Sequence, residues 1–203
     1  INNISYKQHS YAFLPAGFLR KTIVSEKGAI ILTTFSCKPI SEKGNPPKSL
    51  YDKKLLIEYI NTLEMEWDSS LVDPQLASGV AIKPLRTDPY TKETSFIYSS
   101  AAHRIPKSGK KPQWTHSIVE EIFVIDGEYI FADVGVMGPG AYAWWRENIL
   151  HGPSGSIAGF NLWVRTINGP MNNKFEKKKI FMNWQPKYKP ILPKELKKIA
   201  KKY

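Results

Sequence analysis

Hydrophobic and polar residues alternate along much of this chain in short runs, which is the period of a half-buried β-strand. The alternation predicts strands at residues 80–86, 94–99, 118–125, 129–134, 141–145 and 160–166. Fifteen prolines and 13 glycines are scattered among the apolar runs, and these residues favour turns over long helices. Many short strands joined by polar turns predict an all-β sandwich or jelly-roll barrel.

The stretch from residue 38 to residue 62 departs from this alternation. Residues 38–48 contain three prolines and have the composition of a linker, because proline breaks regular elements. From Ser49 onward apolar residues recur at helical spacing, with Ser49 in position for an N-cap. This spacing predicts a short helix, although residues 57–67 fit a strand equally well.

Composition bounds the class of protein. The chain has 203 residues, of which 42% are hydrophobic and 12% aromatic, enough for a sizeable core in one or two domains. It has no apolar run of 18 residues and no signal-peptide segment at its start, so we expect a soluble protein with no membrane span. The single cysteine, Cys37, excludes an internal disulfide and leaves the cellular compartment open.

The formal net charge is +11, which attracts polyanions at long range. The lysines are concentrated at residues 174–179 and 194–202, whereas residues 120–133 are acidic. A basic tail without a base-reading motif carries no sequence specificity. We therefore expect no specific nucleic-acid binding.

Candidate chemistry is concentrated in two stretches, residues 114–127 (WTHSIVEEIFVIDG) and 140–155 (GAYAWWRENILHGPSG). They contain His116, Glu120 and His151, and the chain has only four histidines. Two neutral imidazoles and one carboxylate can occupy one face of a first-row divalent ion and leave other positions open. Iron, manganese, nickel and zinc all suit this donor set.

The spacing resembles the paired motifs of the cupin superfamily, G-x5-H-x-H-x3,4-E-x6-G and G-x5-P-x-G-x2-H-x3-N. The resemblance covers roughly residues 79–166 and implies a cupin jelly-roll β-barrel, a double-stranded β-helix. It implies that His116, Glu120 and His151 are metal ligands. Trp114 stands where the family has its first histidine. The residues of the two motifs are similar to those of small RmlC-like bacterial cupins, of the cupin domain of ChrR-type anti-sigma factors and of diketone-cleaving dioxygenases.

One geometric condition follows from the spacing. Strand residues four apart share a face but stand about 13 Å from each other. His116 and Glu120 can therefore reach one ion only if the chain bends between them, and we predict a break near residues 117–119. Glu121 is the rival carboxylate, but strand alternation directs it away from Glu120.

Several residues near the motifs are candidates for the surroundings of the site. Trp114 cannot bind a metal and is expected to form an aromatic wall. His103, on the preceding strand-like run, is a possible additional ligand or else a surface histidine beside Arg104. The remaining pocket-lining candidates, each also compatible with an ordinary core or turn role, are Tyr142, Trp144, Arg146 and Trp163.

The N-terminal region contains an echo of the second motif. Residues 9–15 (HSYAFLP) align with residues 140–146 (GAYAWWR), and residues 15–17 restore the family's P-x-G. Arg20 then stands at the position of His151, so this region has no evident metal site. The echo predicts a bicupin whose first repeat is degenerate and truncated at its N-terminus.

This organisation predicts residues 1–37 as the end of a degenerate first repeat, 38–62 as a linker, 63–168 as the cupin domain and 169–203 as a basic C-terminal extension. A half-repeat exposes strand edges and apolar surface. We expect residues 11–39 to pack onto the second repeat or onto another copy of the chain, and we expect a homodimer.

Fold alone does not fix function, and the sequence leaves three readings. The first is a metal-dependent enzyme, dioxygenase-like, acting on a small carbonyl or phenolic substrate. The second is a non-catalytic sensory module that binds a metal or a small-molecule ligand. The third is a metal-free scaffold. Open coordination positions would favour the first reading, whereas a structural site is closed by four protein ligands.

Overall fold

The computed structural model describes residues 3–20, 22–40, 44, 51–76, 79–102, 110–132 and 135–184. The chain divides into two compact units, Ile1–Met65 and Glu66–Tyr203. Within the described residues, regular structure is almost entirely antiparallel strand. No helix in this part of the chain has the length and apolar character needed to cross a membrane.

The first unit contains one strand pair. Strand β1 (Ser10–Phe13) lies antiparallel to β2 (Ile57–Asn61). Where the sequence predicts a short helix, the structure has a 3-10 turn at Lys53–Leu55, and residues 49 and 50 lie outside the described residues. A second 3-10 turn, Thr62–Glu64, follows β2. The alternative strand reading holds for β2, since β-branched and aromatic residues such as Ile57 and Tyr59 favour extended backbone.

The described residues that follow β1 contain turns and irregular chain. The described residues between 14 and 40 form no strand. Large apolar side chains there are exposed, among them Val24 at 79% and Ile30 at 102%. The described structure of this region therefore shows β1 but no further repeat element, and the degenerate first repeat stays a prediction.

The second unit holds ten strands among its described residues. In chain order they are β3 (Val80–Thr87), β4 (Thr94–Ser100), β5 (Lys110–Thr115), β6 (Val119–Gly127), β7 (Tyr129–Phe131), β8 (Gly135–Met137), β9 (Tyr142–Trp145), β10 (Ser154–Gly155), β11 (Phe160–Ile167) and β12 (Lys174–Phe181).

These strands form three antiparallel sheets. The largest has the order β3-β4-β11-β6-β9, the second β10-β7-β8 and the third β12-β5. Alternate residues of each strand face inward, so the core takes Val124 and Leu162 from the first sheet, Phe131 and Met137 from the second, and Trp114 from the third. The predicted all-β fold, with its core enclosed by antiparallel sheets, is confirmed.

The turn after β6 shows why the motif ends in glycine. Gly127 has a φ of +78°, a conformation that side chains disfavour. A Cβ at this position would lie 2.8 Å from the Cα of Phe160 and still closer to the carbonyl oxygen of Gly159. Glycine at this position therefore permits β6 and β11 to approach at their ends.

Strand β12 lies in the segment that the sequence assigns to a basic extension. It pairs with β5, with Phe175 opposite Trp114 and Ile180 opposite Lys111. The register shifts between Phe175 and Lys179, and this irregularity interrupts the alternation that would have revealed a strand. Lysines on an edge strand discourage pairing with other chains.

Candidate metal centre

His116, Glu120 and His151 meet in the second unit, with candidate ligand atoms that all lie within 4.8 Å of one another. Glu120 Oε2 is 3.4 Å from His116 Nε2 and 3.5 Å from His151 Nε2. His116 directly follows β5, Glu120 is the second residue of β6, and the chain bends across residues 116–118. The predicted break in the chain is therefore present, and it brings two residues four apart into contact.

Backbone hydrogen bonds place His151 against the other two residues. The N–H of Trp114 donates to the carbonyl of His151, and the N–H of His151 donates to the carbonyl of Trp114, both at 3.0 Å. The N–H of Asn148 donates to the carbonyl of His116 at 2.6 Å. The loop after β9 is thus attached to the end of β5 at two points.

The second ring nitrogen of each histidine faces a backbone carbonyl. Nδ1 of His116 lies 3.2 Å from the oxygen of Asn172, and Nδ1 of His151 lies 2.7 Å from the oxygen of Ile149. Because a carbonyl only accepts, each Nδ1 carries the hydrogen, and in the neutral ring Nε2 presents a lone pair. Such partners fix the tautomer and orientation of metal-binding histidines.

The two Nε2 atoms lie 3.0 Å apart. With both Nδ1 hydrogens directed at carbonyls, this contact calls for a proton on one Nε2 or for a metal ion beside both rings. For metal–nitrogen bonds of about 2.0–2.1 Å, ligands 90° to 109° apart are separated by about 2.9 to 3.4 Å. The observed separations of 3.0, 3.4 and 3.5 Å therefore fit three donors on one face of a single ion.

Glu120 supplies the negative charge of the cluster. Without a metal ion, burial acts to raise the pKa of its carboxyl, but hydrogen bonds from His116 and His151, and the positive charge of these rings when protonated, outweigh burial and lower the pKa to about 2. The group is thus an anion at neutral pH. Its charge adds to burial in raising the pKa of Tyr98 and of Tyr129, so both phenols are protonated.

Aromatic rings enclose His151. Phe131 and Trp145 stack on it at centroid distances of 5.8 and 5.4 Å, and Trp114 meets it edge to face at 5.6 Å. The sequence identifies Trp114 as a wall but misses Phe131 and Trp145. The sequence alone does not give the register between strands. Trp145 reaches the site because β9 pairs it with Glu120.

Gly152 leaves the space that Trp114 occupies. It has a φ of +81°, and a Cβ there would lie 2.6 Å from the indole ring. Glycine next to His151 therefore sets the position of the tryptophan that packs against this ligand.

Two of the expected pocket residues lie elsewhere. Tyr142 and Trp144 are 52% and 49% exposed, on the opposite face of β9 from Trp145. Tyr142 donates a hydrogen bond of 2.8 Å to Glu121, which also contacts Arg165 at 2.5 Å. The expectation for Tyr142 and Trp144 is corrected because Trp144 pairs with Glu121, and Glu121 points away from Glu120 as predicted.

The other candidates lie away from the triad, the cluster of His116, Glu120 and His151, or fall outside the described residues. Trp163 is buried opposite Phe123 and Ile97, whereas its neighbours Leu162 and Val164 face the core. It therefore lies on the other face of β11 and does not line the site. Arg146 is exposed just after β9, and its role at a rim stays a prediction. His103 falls outside the described residues.

Comparisons with known proteins find similarity among solved structures only. No protein-family model matches the sequence, and no curated protein matches it. An RmlC-like cupin protein from Ralstonia eutropha is 12% identical, with a TM-score of 0.43 over 56% of this chain and 75% of its own. The polyketide cyclase RemF from Streptomyces resistomycificus is 14% identical, with a TM-score of 0.46 over 64% of this chain and 89% of its own.

An acetylacetone dioxygenase from Acinetobacter johnsonii is also similar, with 12% identity and a TM-score of 0.38 over 49% of this chain and 72% of its own. Similarity at this level says nothing about the metal, the ligand or the reaction of this chain.

Proposed function

We propose that the second unit is a metal-dependent cupin enzyme in which His116, Glu120 and His151 hold one first-row divalent ion. The proposal is carried by the pair of Nε2 atoms 3.0 Å apart, whose Nδ1 partners are both backbone carbonyls. A buried carboxylate against two imidazoles is costly unless a cation neutralises it. A divalent ion satisfies all three groups at once.

The number of ligands favours catalysis over a purely structural site. Among the described residues the group contains three protein ligands, and structural zinc sites have four. Trp114, at the family's remaining ligand position, has no donor for a metal. A bound first-row ion with open positions supplies oxygenase or Lewis-acid chemistry on a small carbonyl or phenolic substrate.

The chain's own residues prepare the site for such an ion. Glu120 provides a full negative charge at neutral pH, and the carbonyls of Ile149 and Asn172 hold both imidazoles with Nε2 inward. The rings of Trp114 and Trp145 pack on the buried His151 and exclude water from it. The resulting low-dielectric surrounding strengthens charge interactions.

Metal analysis of protein purified without chelators tests the site. We expect close to one ion per chain in the wild type and loss of that ion in His151→Ala. His9→Asn is the matched control, because His9 lies in the first unit and asparagine tolerates its φ of +60°. A wild type that neither contains nor takes up an ion, or a His151→Ala variant that retains it, would contradict the proposal.

A non-catalytic metal- or ligand-binding sensory module is the second candidate, favoured by burial. His116, Glu120 and His151 are only 2%, 8% and 1% exposed. Oxygen consumption by iron-loaded protein with acetylacetone, a small diketone, and with catechol, a small phenol, separates the two. Turnover that is lost in His151→Ala supports the enzyme, whereas tight metal binding without turnover on either class supports the sensory module.

A further inference from the structure

The second unit also contains a cavity of about 220 Å³ beside Trp114. Its walls come from β4, β5, β10, β11 and β12. Three lysines, Lys110, Lys111 and Lys179, line it. None of the three triad residues is part of the lining, and Trp114 contributes to both the cavity and the surroundings of His151.

The cavity has an uncompensated positive charge. Its lining contains three lysines and no carboxylate, and no ion pair to these lysines forms within the described part of the chain. Lys111 Nζ donates one hydrogen bond, of 3.1 Å, to the carbonyl of Ser154. An ammonium group has three donors, so two remain for a ligand.

Two of the three lysines lie over aromatic rings. Nζ of Lys110 lies 4.8 Å from the ring centre of Phe181, and Nζ of Lys111 lies 5.2 Å from that of Trp184. Contacts of this kind orient a cation without neutralising it. Burial also lowers the pKa of Lys111, which shows that its charge is poorly solvated and would gain from an anionic partner.

Apolar rings form the remaining walls. Trp114 and Phe175 pack with ring centres 5.9 Å apart, and Tyr98 packs against Phe160 at 5.4 Å. Flat walls of this type suit a planar apolar group. The cavity is smaller than the roughly 300–1,000 Å³ of pockets that take drug-sized ligands, so a single ring with one substituent is the appropriate size.

We propose that this cavity binds a small aromatic carboxylate, with the carboxylate among Lys110, Lys111 and Lys179 and the ring against the wall formed by Trp114 and Phe175. Charge-assisted hydrogen bonds from ammonium to carboxylate are about twice as strong as neutral ones. The lining contains none of His116, Glu120 and His151, so binding of the carboxylate does not require a bound metal.

Calorimetric titration of the full chain tests the proposal with three probes: benzoate, its neutral isostere benzamide, and inorganic phosphate. Each is titrated into chelator-treated protein and into metal-loaded protein at low ionic strength. We expect benzoate to bind in both states, at least tenfold more tightly than benzamide or phosphate. Metal content measured on the same samples separates this result from the outcome for the triad.

Variants identify the lysines. Lys111→Met combined with Lys179→Met keeps the apolar stems and removes two charges, and we expect benzoate affinity to fall at least fivefold. Lys177→Met is the matched control, because Lys177 is an exposed residue of β12 outside the cavity lining. Thermal unfolding verifies that each variant is folded.

Four outcomes would overturn the inference. Equal binding of benzamide and benzoate would remove the role of charge. Equal binding of phosphate and benzoate would remove the role of the aromatic walls. An equal loss in Lys177→Met would show that net charge alone attracts the ligand. Lack of benzoate binding in folded wild-type protein would also refute it.

Discussion

At the scale of single residues, Glu120 is the group whose ionisation matters most. Its pKa lies near 2, against an ordinary value of 4.5, because the two histidines outweigh the effect of burial. A carboxyl whose pKa is lowered by folding stabilises the protein above its unfolded pKa, and that contribution is lost as the pH falls toward the folded value.

We therefore expect the free energy of unfolding of metal-free protein to decrease as the pH falls from about 4.5 to about 2. A shift of this size corresponds to about 3 kcal/mol. Urea titrations across this range should show a flatter dependence for Glu120→Gln. The exposed Glu176→Gln should retain the wild-type slope, and an identical slope for Glu120→Gln would contradict the prediction.

Gly152 offers a second test at this scale. Gly152→Ala places a methyl group 2.6 Å from the ring of Trp114, at a φ of +81°. We expect a loss of about 1–3 kcal/mol in stability, together with weaker metal binding because Trp114 packs on His151. Gly138→Ala is the control, since no atom lies within 4 Å of its Cβ. Equal losses in the two variants would argue against the role of Trp114.

The sequence predicts the positions of residues whose spacing is set by a motif. It does not predict the positions of residues that depend on how two strands pair. The juxtaposition of His116, Glu120 and His151 follows from the resemblance to cupin motifs. The choice between Trp144 and Trp145 depends on which of them pairs with Glu120, and register is a property of two strands together.

At the scale of elements, β12 is the clearest departure from the sequence expectation. Its residues are lysine-rich, and its inward positions are separated by a register shift. Neither charge nor period therefore indicates a strand. In contrast, β3, β4, β6, β9 and β11 are predicted because regular alternation places their apolar residues on one face.

We expect Phe175→Ala on β12 to lower the free energy of unfolding by about 2 kcal/mol, because its half-buried ring contacts Trp114. Phe181→Ala, at the end of the same strand, removes a ring that is 68% exposed and should cost well under half as much. Urea unfolding of the two variants provides the comparison. Equal costs would mean that β12 does not pack on the core.

At the scale of the whole molecule, the exposed apolar side chains of the first unit would be stabilised by burial against another surface. Exposed large hydrophobic groups in an extended segment are typical of interaction sites. Ile30 and Ile31, at 102% and 61% exposure, are adjacent. The homodimer expected from the sequence would bury them.

Light scattering coupled to size-exclusion chromatography should therefore give the mass of a dimer for the wild type. Replacing both Ile30 and Ile31 by aspartate should shift the mass toward the monomer, because a charge resists burial. Lys27→Asp, which changes charge at an exposed position nearby, should leave the dimer intact. A monomeric wild type would exclude this role for the segment.

Trp114 contacts His151 edge to face and also lines the cavity that contains the three lysines. A guest that displaces this ring changes the affinity of the histidine cluster for its ion. Thermodynamic reciprocity requires the ion to change the affinity for the guest by the same factor. If both sites are occupied as proposed, this one side chain would give them a shared coupling free energy, and its sign would depend on the position of Trp114 that each occupant prefers.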